Sequence, residues 1–483
     1  MQTKFQRRPG LRPNAPALIL TGLSALLACG LPAYAQQVPQ GSSTPPDARS
    51  TPTDPAAAAT PPGCKPVRWD AAMRMCAAND AAAQLTMELQ NTQSSDGPPR
   101  ADGMPATPTL GASDRSINSS MNMDTPSGPK PKTTLMFHLN QFMVYSSTSG
   151  QRGKSRLTGP GYWMLTYGND LTTTNHLTID IMGSPEQLTV SEKGTPQLLQ
   201  TDHIDNMHAH DTVMAFEFRD ALAIGTDNKQ QLTFMFAPRG EAAIGPVPFM
   251  HRESAEGNPD APLGHSLQDG FHDASTVLGV EYRIASTTAE FTAFSGQNIT
   301  SPFPLHRPDS YAVRLNQDIN GQVGIGASVA DVLLPGDAGG AEHNQFISAW
   351  LTTAHKIHED TLKSSFIVAS ARTGHDAFLT SLMEEAVYQR GKNNFYGRAE
   401  VLQITPAQLE LTTPSGSENA KWVEALTVGY ERSLFEKNAL HLLVGGSYTK
   451  DFVPSAFQPA YGSDPSGFKI YLRLKFMTTG RGF

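Results

Sequence analysis

The sequence predicts an all-β fold, an antiparallel transmembrane β-barrel of about 16 strands (roughly 14–18), preceded by a mostly disordered N-terminal extension with one short helix. Three observations predict it: an export signal at the start, an alternating apolar and polar strand near the end, and strand-length segments joined by alternating short and long connections. No uninterrupted apolar run after the export signal is long enough for a membrane-spanning helix. Only helices and closed barrels satisfy every backbone group in lipid, so a membrane-embedded chain of this kind is a barrel.

Residues 1–35 are predicted to be a signal peptide. Four basic residues precede an apolar stretch from Ala15 to Leu27, and Ala33 and Ala35 supply the small residues that a signal peptidase reads. The predicted cleavage follows Ala35, and the protein is expected in the outer membrane of a Gram-negative bacterium. An alternative remains open, because the residues leading to Cys29 resemble a lipoprotein processing box, which would leave Cys29 as a lipidated first residue.

Residues 36–132 are predicted to be a low-complexity periplasmic extension. Pro, Ser, Thr, Ala and Gln dominate its start, and such a composition cannot bury enough apolar surface to offset the entropy of ordering. A stretch rich in Ala, Met and Leu near residues 69–91 predicts the helix. Cys64 and Cys76 remain as a pair in an oxidising compartment, which favours a disulfide over a metal site.

Residues 133–483 are predicted to form the barrel, and the last strand shows the pattern best. In a strand, the period of two puts Phe468, Ile470, Leu472, Leu474 and Phe476 on one face and Lys469, Tyr471, Arg473 and Lys475 on the other. The first face suits lipid and the second suits water. A mean hydropathy of -0.32 is too polar for a helical membrane protein but fits a barrel with a wet interior.

The connections between strands alternate in length, which is typical of outer-membrane barrels with short turns on one rim and long loops on the other. The predicted long connections are Ser184 to Asp211, Arg239 to Phe271, Gln297 to Pro308, Leu334 to His343, Thr405 to Asn419 and Asp451 to Ser466. The formal charge falls from -8 to -12 once the four basic residues of the signal are removed, which argues against nucleic acid as a partner.

Charged side chains on the wet faces of the strands are predicted to line the pore and to set its ion selectivity. Their alternative role is mutual ion pairing that keeps the interior wet. The predicted pore-lining residues are Asp180, Glu217, Arg219, Arg314, Arg398, Glu400, Lys469, Arg473 and Lys475.

Histidines cluster between residues 203 and 272, together with several methionines. His208 and His210 would share a face if they lay in a strand, and Asp211 could orient one imidazole. Imidazole with thioether suits copper, whereas imidazole with carboxylate suits zinc or nickel. The alternative is that these are polar residues of exposed loops. The candidate metal ligands are His203, Met207, His208, His210, Asp211, Met250, His251, His265 and His272.

The proline-rich stretch from Asn258 to Leu263 predicts an ordered loop, because two prolines fix backbone angles. One interpretation folds this loop inward to narrow the pore, with Met250, His251 and His265 at the constriction. The other leaves it as a rigid outer loop over the barrel rim.

Four segments around these residues carry a family resemblance. They are Pro196 to Thr201, His208 to Asp211, Gly245 to Arg252 and Asn258 to His265, and together they resemble a largely uncharacterised family of proteobacterial outer-membrane barrels. The resemblance extends from about Thr133 to Phe476, and it implies an association with heavy-metal, especially copper, resistance systems. The chain departs from the family pattern at Ala209, Ser266 and Gly270-Phe271, which puts a site of paired histidines in doubt.

The resulting hypothesis is a passive pore or accessory barrel linked to copper handling, with no cofactor required and with Cu or Zn binding at the histidines. The expected partners are outer-membrane lipid, the barrel-assembly machinery and metal-efflux components. One alternative is an outer-membrane acyl hydrolase built on His272 and Ser275, although no convergent nucleophile, base and orienting group is evident, so we expect no enzyme. The other alternative is a closed structural barrel without transport.

Overall fold

The computed structural model describes Trp69–Asp70, Met75–Cys76 and residues 133–478, apart from residues 191–192, 202, 226–229, 272–273, 297–304, 336–340, 375 and 413–418. The predicted signal peptide, most of the extension, Cys64 and His272 therefore lie outside the described residues. Two short strands, β1 (Trp69–Asp70) and β2 (Met75–Cys76), pair antiparallel within the region predicted as a helix near residues 69–91. These four residues are extended and not helical. Helix propensity is a weak prior, and a short helix without packing partners is marginal in water.

The barrel is a closed antiparallel sheet, in which each strand pairs with its neighbour in the chain and the last strand pairs with the first. β4 (Ser155–Thr158) and β5 (Gly161–Asp170) both pair with β3 (Thr133–Thr148) and act as one strand interrupted at Gly159 and Pro160, so the barrel has 16 strands, as predicted. The strands are β3 (Thr133–Thr148), β4 (Ser155–Thr158), β5 (Gly161–Asp170), β6 (Asn175–Gly183), β9 (Ala215–Ile224), β10 (Gln230–Gly240), β11 (Ala274–Ile284), β12 (Thr287–Ser295), β13 (Ser310–Asp318), β14 (Val323–Pro335), β15 (Ala341–Ile357), β16 (Asp360–Thr373), β17 (Leu379–Arg390), β18 (Asn393–Ile404), β19 (Lys421–Lys437), β20 (Leu440–Phe452) and β21 (Ser466–Met477).

The strand faces follow the predicted alternation. In β21, Phe468, Ile470 and Leu472 are exposed on the outside, while Lys469, Tyr471 and Arg473 are buried in the lumen. The same division holds in β13, where Tyr311 and Val313 point outward and Ala312 and Arg314 inward. Period-two alternation thus produces an apolar exterior and a polar, charged interior.

The connections also divide between the two rims as predicted. One rim carries short turns, such as residues 285–286, 358–359, 391–392 and 438–439, and the other carries the long connections. One predicted long connection is wrong: β14 and β15 extend to Pro335 and from Ala341, so the loop from Leu334 to His343 shrinks to residues 336–340. The polar residues Glu342, His343 and Asn344 at the start of β15 pair with the end of β14, which extends the ladder beyond the apolar pattern of β15.

Within the described residues, helical structure lies on the long-loop side. It consists of α1 (Glu186–Thr189), α2 (His265–Gln268), α3 (Gln458–Tyr461) and single turns at Glu253–Ala255 and Ala407–Leu409. A two-stranded ribbon of β7 (Thr195–Pro196) and β8 (Asn206–Met207) completes the loops. In the described part of the chain, no helix has the length and apolar character needed to cross a membrane.

Candidate functional site

Two long connections fold inward and fill the lumen. Segment A comprises residues 184–214 between β6 and β9, and segment B comprises residues 241–271 between β10 and β11. Most of their described residues are buried although they belong to no barrel strand. Segment B contains the proline-rich stretch, so the inward interpretation of that stretch is the one that the structure shows.

Segment B is bonded to lumen-facing side chains on one side of the barrel. The Ala243 amide donates to Thr292 Oγ1 on β12 at 2.9 Å, and the Gly245 amide donates to Ser328 Oγ on β14 at 2.7 Å. Gly245 has a φ of +74°, and a Cβ there would lie 1.8 Å from the Gln268 carbonyl oxygen. Only glycine allows the chain to turn at this point and pass so close to its own later residues.

The other side of the barrel holds the distal half of segment B. The Leu263 amide donates to Glu400 Oε1 on β18 at 2.6 Å, and the Tyr471 hydroxyl on β21 donates to the Gly257 carbonyl at 2.6 Å. Tyr162 on β5 donates to the Met250 carbonyl at 3.3 Å. Because the bonded strands lie around the whole wall, segment B crosses the lumen and does not lie along one side of it.

Arg252 is the centre of the charged contacts of segment B. It is buried, its Nε donates to Glu385 on β17, and its NH1 donates to Asp269 at 3.0 Å and to the Val247 carbonyl at 2.8 Å. Ser254 Oγ donates to Glu385 at 2.8 Å and also lies 2.7 Å from Ser365 Oγ on β16. These bonds compensate the buried charge of Arg252, because an unpaired charge out of water is costly.

The carboxylates of segment B are tied to basic residues of the opposite wall. Asp260 pairs with Lys469, and Glu256 pairs with Lys475. Burial alone would raise the pKa of Glu256, but Lys475, Arg473 and a further lysine hold it below its usual range. Glu256 is therefore charged at neutral pH, and the attraction to the wall is present there.

The loops also close the long-loop rim with apolar contacts. Segments A and B contribute to a cluster with the connections that follow β18 and β20; its buried members are Leu198, Leu199, Leu263, Leu402, Ile404, Leu409, Val423, Ala425, Phe457 and Tyr461. Arg152 and Tyr461 both bond Asp205 beside this cluster, at 2.9 and 2.8 Å. Cavities of about 60, 30 and 40 Å³ remain beside segment B. Each holds only a few water molecules.

All nine predicted pore-lining residues point into the lumen, and they are paired. Glu217 with Arg219 at 2.7 Å and Arg398 with Glu385 at 3.0 Å pair within the wall, while Lys469 and Lys475 pair with segment B. The remaining contacts are Asp180 with Thr166 at 2.6 Å, Arg314 with Glu290 at 2.7 Å, Arg473 with Glu431 at 3.1 Å and Glu400 with the Leu263 amide at 2.6 Å. Seven of the nine side chains therefore form ion pairs, and Asp180 and Glu400 form hydrogen bonds. Their role in lining a conducting pore and in setting its ion selectivity stays a prediction.

Sequence reasoning missed the acidic partners. Glu290, Glu385 and Glu431 occupy inward positions of β12, β17 and β19 and are buried. Extending the period-two pattern along those strands would have identified them. Glu241, Glu256, Asp260 and Asp269 lie in segment B, and no local pattern indicates that they face the wall.

The structure places the candidate metal ligands in different surroundings. Asp211 bonds Arg239 at 2.5 Å, and burial raises the pKa of Asp211 to about 6 even though Arg239 opposes this. His251 contacts the Tyr162 ring with ring centroids 4.6 Å apart. His203 lies apart, in a bridge with Asn206. His208 and His210 follow β8 in irregular backbone and not in a strand, so the same-face argument does not apply to them.

Three of these histidines lie close together. The His208 ring centroid is 6.1 Å from that of His210 and 6.4 Å from that of His265. His210 Nδ1 bonds Glu186 at 2.7 Å and His265 Nδ1 bonds Asp269 at 2.6 Å, which fixes both rings. Burial, and then the two neighbouring histidines, hold the pKa of His208 well below its usual value.

Among the residues that the structure describes, no group of three or more His, Cys, Asp or Glu side chains is placed to hold a metal ion. The nine-residue ligand set therefore stays a prediction.

Several solved outer-membrane proteins have a similar shape at low identity. A loop-deletion mutant of OmpT from Vibrio cholerae is 9% identical, with a TM-score of 0.44, and the match covers 72% of this chain and 100% of that one. The anion-selective porin from Comamonas acidovorans is 12% identical, with a TM-score of 0.45, and the match covers 72% of this chain and 100% of that one. OprB from Pseudomonas putida is 11% identical, with a TM-score of 0.43, and the match covers 72% of this chain and 94% of that one. No family model and no curated relative matches the sequence.

Proposed function

We propose that the chain is an outer-membrane pore for small hydrophilic solutes whose lumen is closed at rest by segment B. The apolar exterior and the unequal rims support insertion into an outer membrane. A 16-strand barrel is wide enough for an aqueous channel when nothing fills it. The observation that carries the proposal is segment B itself, which crosses this lumen and is bonded to strands around its wall.

Segment B is attached to the wall both by apolar packing, as at Ile244, and by polar bonds, and the polar bonds are the part that can be exchanged for water. Its bonds to the wall are hydrogen bonds and ion pairs, such as Ser254 with Ser365 and Arg252 with Glu385. Water and ions can replace such partners when the segment moves, whereas a covalent or wholly apolar attachment would not open in this way. The proposal assigns transport by diffusion and no catalytic step.

A reversible lock tests this proposal. Ser254→Cys with Ser365→Cys, in a background with Cys29, Cys64 and Cys76 replaced by serine, places two thiols where the two hydroxyl oxygens lie 2.7 Å apart. We expect planar-bilayer conductance of the refolded chain to fall on oxidation and to recover on reduction. The control is Ser254→Cys alone, which cannot form the bridge and should conduct equally in both conditions.

Two outcomes contradict the proposal. Equal conductance of the bridged and reduced double variant would show that ions pass with segment B in place, so its movement does not open the pore. No conductance from the background protein or the reduced variant would favour a closed structural barrel.

A link to metal handling is a second candidate: the imidazoles of His208, His210 and His265 are neighbours, and they would have to move closer together to hold one ion. Glu186 bonds the ring of His210, and Asp269 bonds the ring of His265. Carboxylates often orient metal-bound histidines in this way. Calorimetric titration with Cu²⁺ and Zn²⁺ at neutral pH tests it. Binding lost in a variant with all three histidines changed to alanine supports the link, and unchanged binding contradicts it.

A further inference from the structure

A row of metal-binding side-chain types crosses three neighbouring strands on the lumen side. His138 on β3 lies directly opposite Met164 on β5, and Met164 lies opposite Met182 on β6. Met164 and Met182 are buried, and His138 belongs to the same face of β3 as the buried Asn140. Directly opposed residues have Cβ atoms about 4.5–5.5 Å apart, so an imidazole and two thioethers are neighbours.

Two more methionines complete this group. Met214, just before β9, donates its amide to the Met182 carbonyl at 2.8 Å and packs with Met164, Met182 and Tyr162 in one buried cluster. Met250, in segment B, packs against the same cluster. Four thioethers from two strands and two loops therefore meet at one place in the lumen wall.

Two imidazole nitrogens beside this cluster make no hydrogen bond. The rings of His138 and His251 both contact Tyr162, with ring centroids 5.4 and 4.6 Å apart. His138 Nδ1 and His251 Nε2 are buried and have no hydrogen-bond partner within the described part of the chain. Buried polar atoms of native proteins are almost always bonded, so these two nitrogens are available to a water molecule or a ligand beside the four thioethers.

We infer that His138, His251 and the methionines around Met164 and Met182 form a binding site for a soft monovalent cation, Cu(I) or Ag(I). Thioether and imidazole ligands select such cations over magnesium or calcium, which require oxygen ligands. The inference does not rest on the proposed pore function. It also differs from the histidine group at His208, because its main ligands are sulfur atoms and three of its residues lie on barrel strands.

Silver binding to the full refolded chain tests the site. Competitive titration with silver nitrate should show one tightly bound Ag(I) per chain. The affinity for Ag(I) should fall by at least about 100-fold in the triple variant Met164→Leu, Met182→Leu and Met214→Leu. Met-to-Leu exchange nearly preserves volume, so packing should remain intact. The matched control is Met235→Leu with Met383→Leu, two buried methionines elsewhere in the lumen, which should bind as the wild type does.

Further measurements separate a metal site from simple packing. X-ray absorption of the Cu(I)-loaded chain should show sulfur scatterers, and the variant with His208, His210 and His265 changed to alanine should still bind Ag(I). Electrophoretic mobility of the unheated barrel reports whether each variant is folded. No silver binding by the wild type, equal binding by the folded triple methionine variant, or a Cu(I) site without sulfur would overturn the inference.

Discussion

Replacing Arg252 by alanine should release segment B from the barrel wall. The change removes the bonds from the guanidinium to Glu385, to Asp269 and to the Val247 carbonyl, all in a buried environment. Removing one partner of a buried ion pair costs about 3–5 kcal/mol, because it leaves an uncompensated charge.

The cost should lie at the lower end of that range, because both carboxylates keep other partners. Glu385 retains Arg398 at 3.0 Å, and Asp269 retains His265 at 2.6 Å. A loss of about 3 kcal/mol corresponds to roughly a hundredfold larger population of detached segment B.

Hydrogen exchange of the segment B amides in the refolded barrel measures this population, and bilayer conductance measures its consequence. We expect amides from about Gly245 to Asp269 to exchange roughly a hundredfold faster in Arg252→Ala, since exchange reports local opening. We also expect more frequent channel openings.

Arg219→Ala is the matched control, because Arg219 is a buried arginine that bonds Glu217 on its own strand. Glu217 also accepts a hydrogen bond from the Glu241 amide at the start of segment B, so any faster exchange should stay at that end and should not reach the amides from about Gly245 to Asp269. Unchanged exchange and conductance in Arg252→Ala, or the same acceleration in Arg219→Ala, would refute the assigned role of the Arg252 contacts.

Three other changes test the wall and the charges. Leu472→Arg should lower the folding free energy in lipid vesicles by about 2–4 kcal/mol if this exterior residue lies at the bilayer midplane. A loss as small as that of Leu472→Met would contradict the assignment of Leu472 to the lipid-facing side of the barrel. Gly429→Ala should lower the free energy of unfolding in urea by roughly 1–3 kcal/mol, because the new Cβ would lie 2.1 Å from Tyr396 Cζ. Gly397→Ala is the control, because its Cβ would have no contact nearer than 3.4 Å and the variant should lose little stability. Equal losses of stability in the two variants would contradict this packing. Because the pKa of Glu256 is lowered in the folded state, its contribution is present at neutral pH and is lost on acidification, so the protection factors of the segment B amides, which correct for the intrinsic pH dependence of exchange, should fall below about pH 4. Protection factors that stay constant down to about pH 3 would show that this carboxylate does not hold the segment.

The barrel could be predicted from the sequence because its signals are local. Alternation in β13 and β21 assigns each side chain to one face, since successive residues of a strand point in opposite directions. Connection lengths separate the two rims in the same way. Strand ends are less certain, as the loop between β14 and β15 shows, because pairing continues where the apolar pattern stops.

The contacts of the site could not be predicted in this way, because they join residues that are far apart in the chain. Arg252 and Glu385 are 133 residues apart, and the Tyr471 hydroxyl bonds a carbonyl 214 residues away. The sequence by itself determined that the lumen is polar and that two loops carry the candidate residues. It did not decide whether segment B folds into the lumen or covers the outer rim.

Only the tertiary structure decided that segment B crosses the lumen and that His138, Met164 and Met182 meet His251 there. Closure of the barrel sets which strands face one another across the interior, and the loop enters where wall side chains satisfy its buried polar groups. No local sequence pattern indicates which strands face one another or where the loop enters. Both depend on residues that come together only when the first and last strands pair.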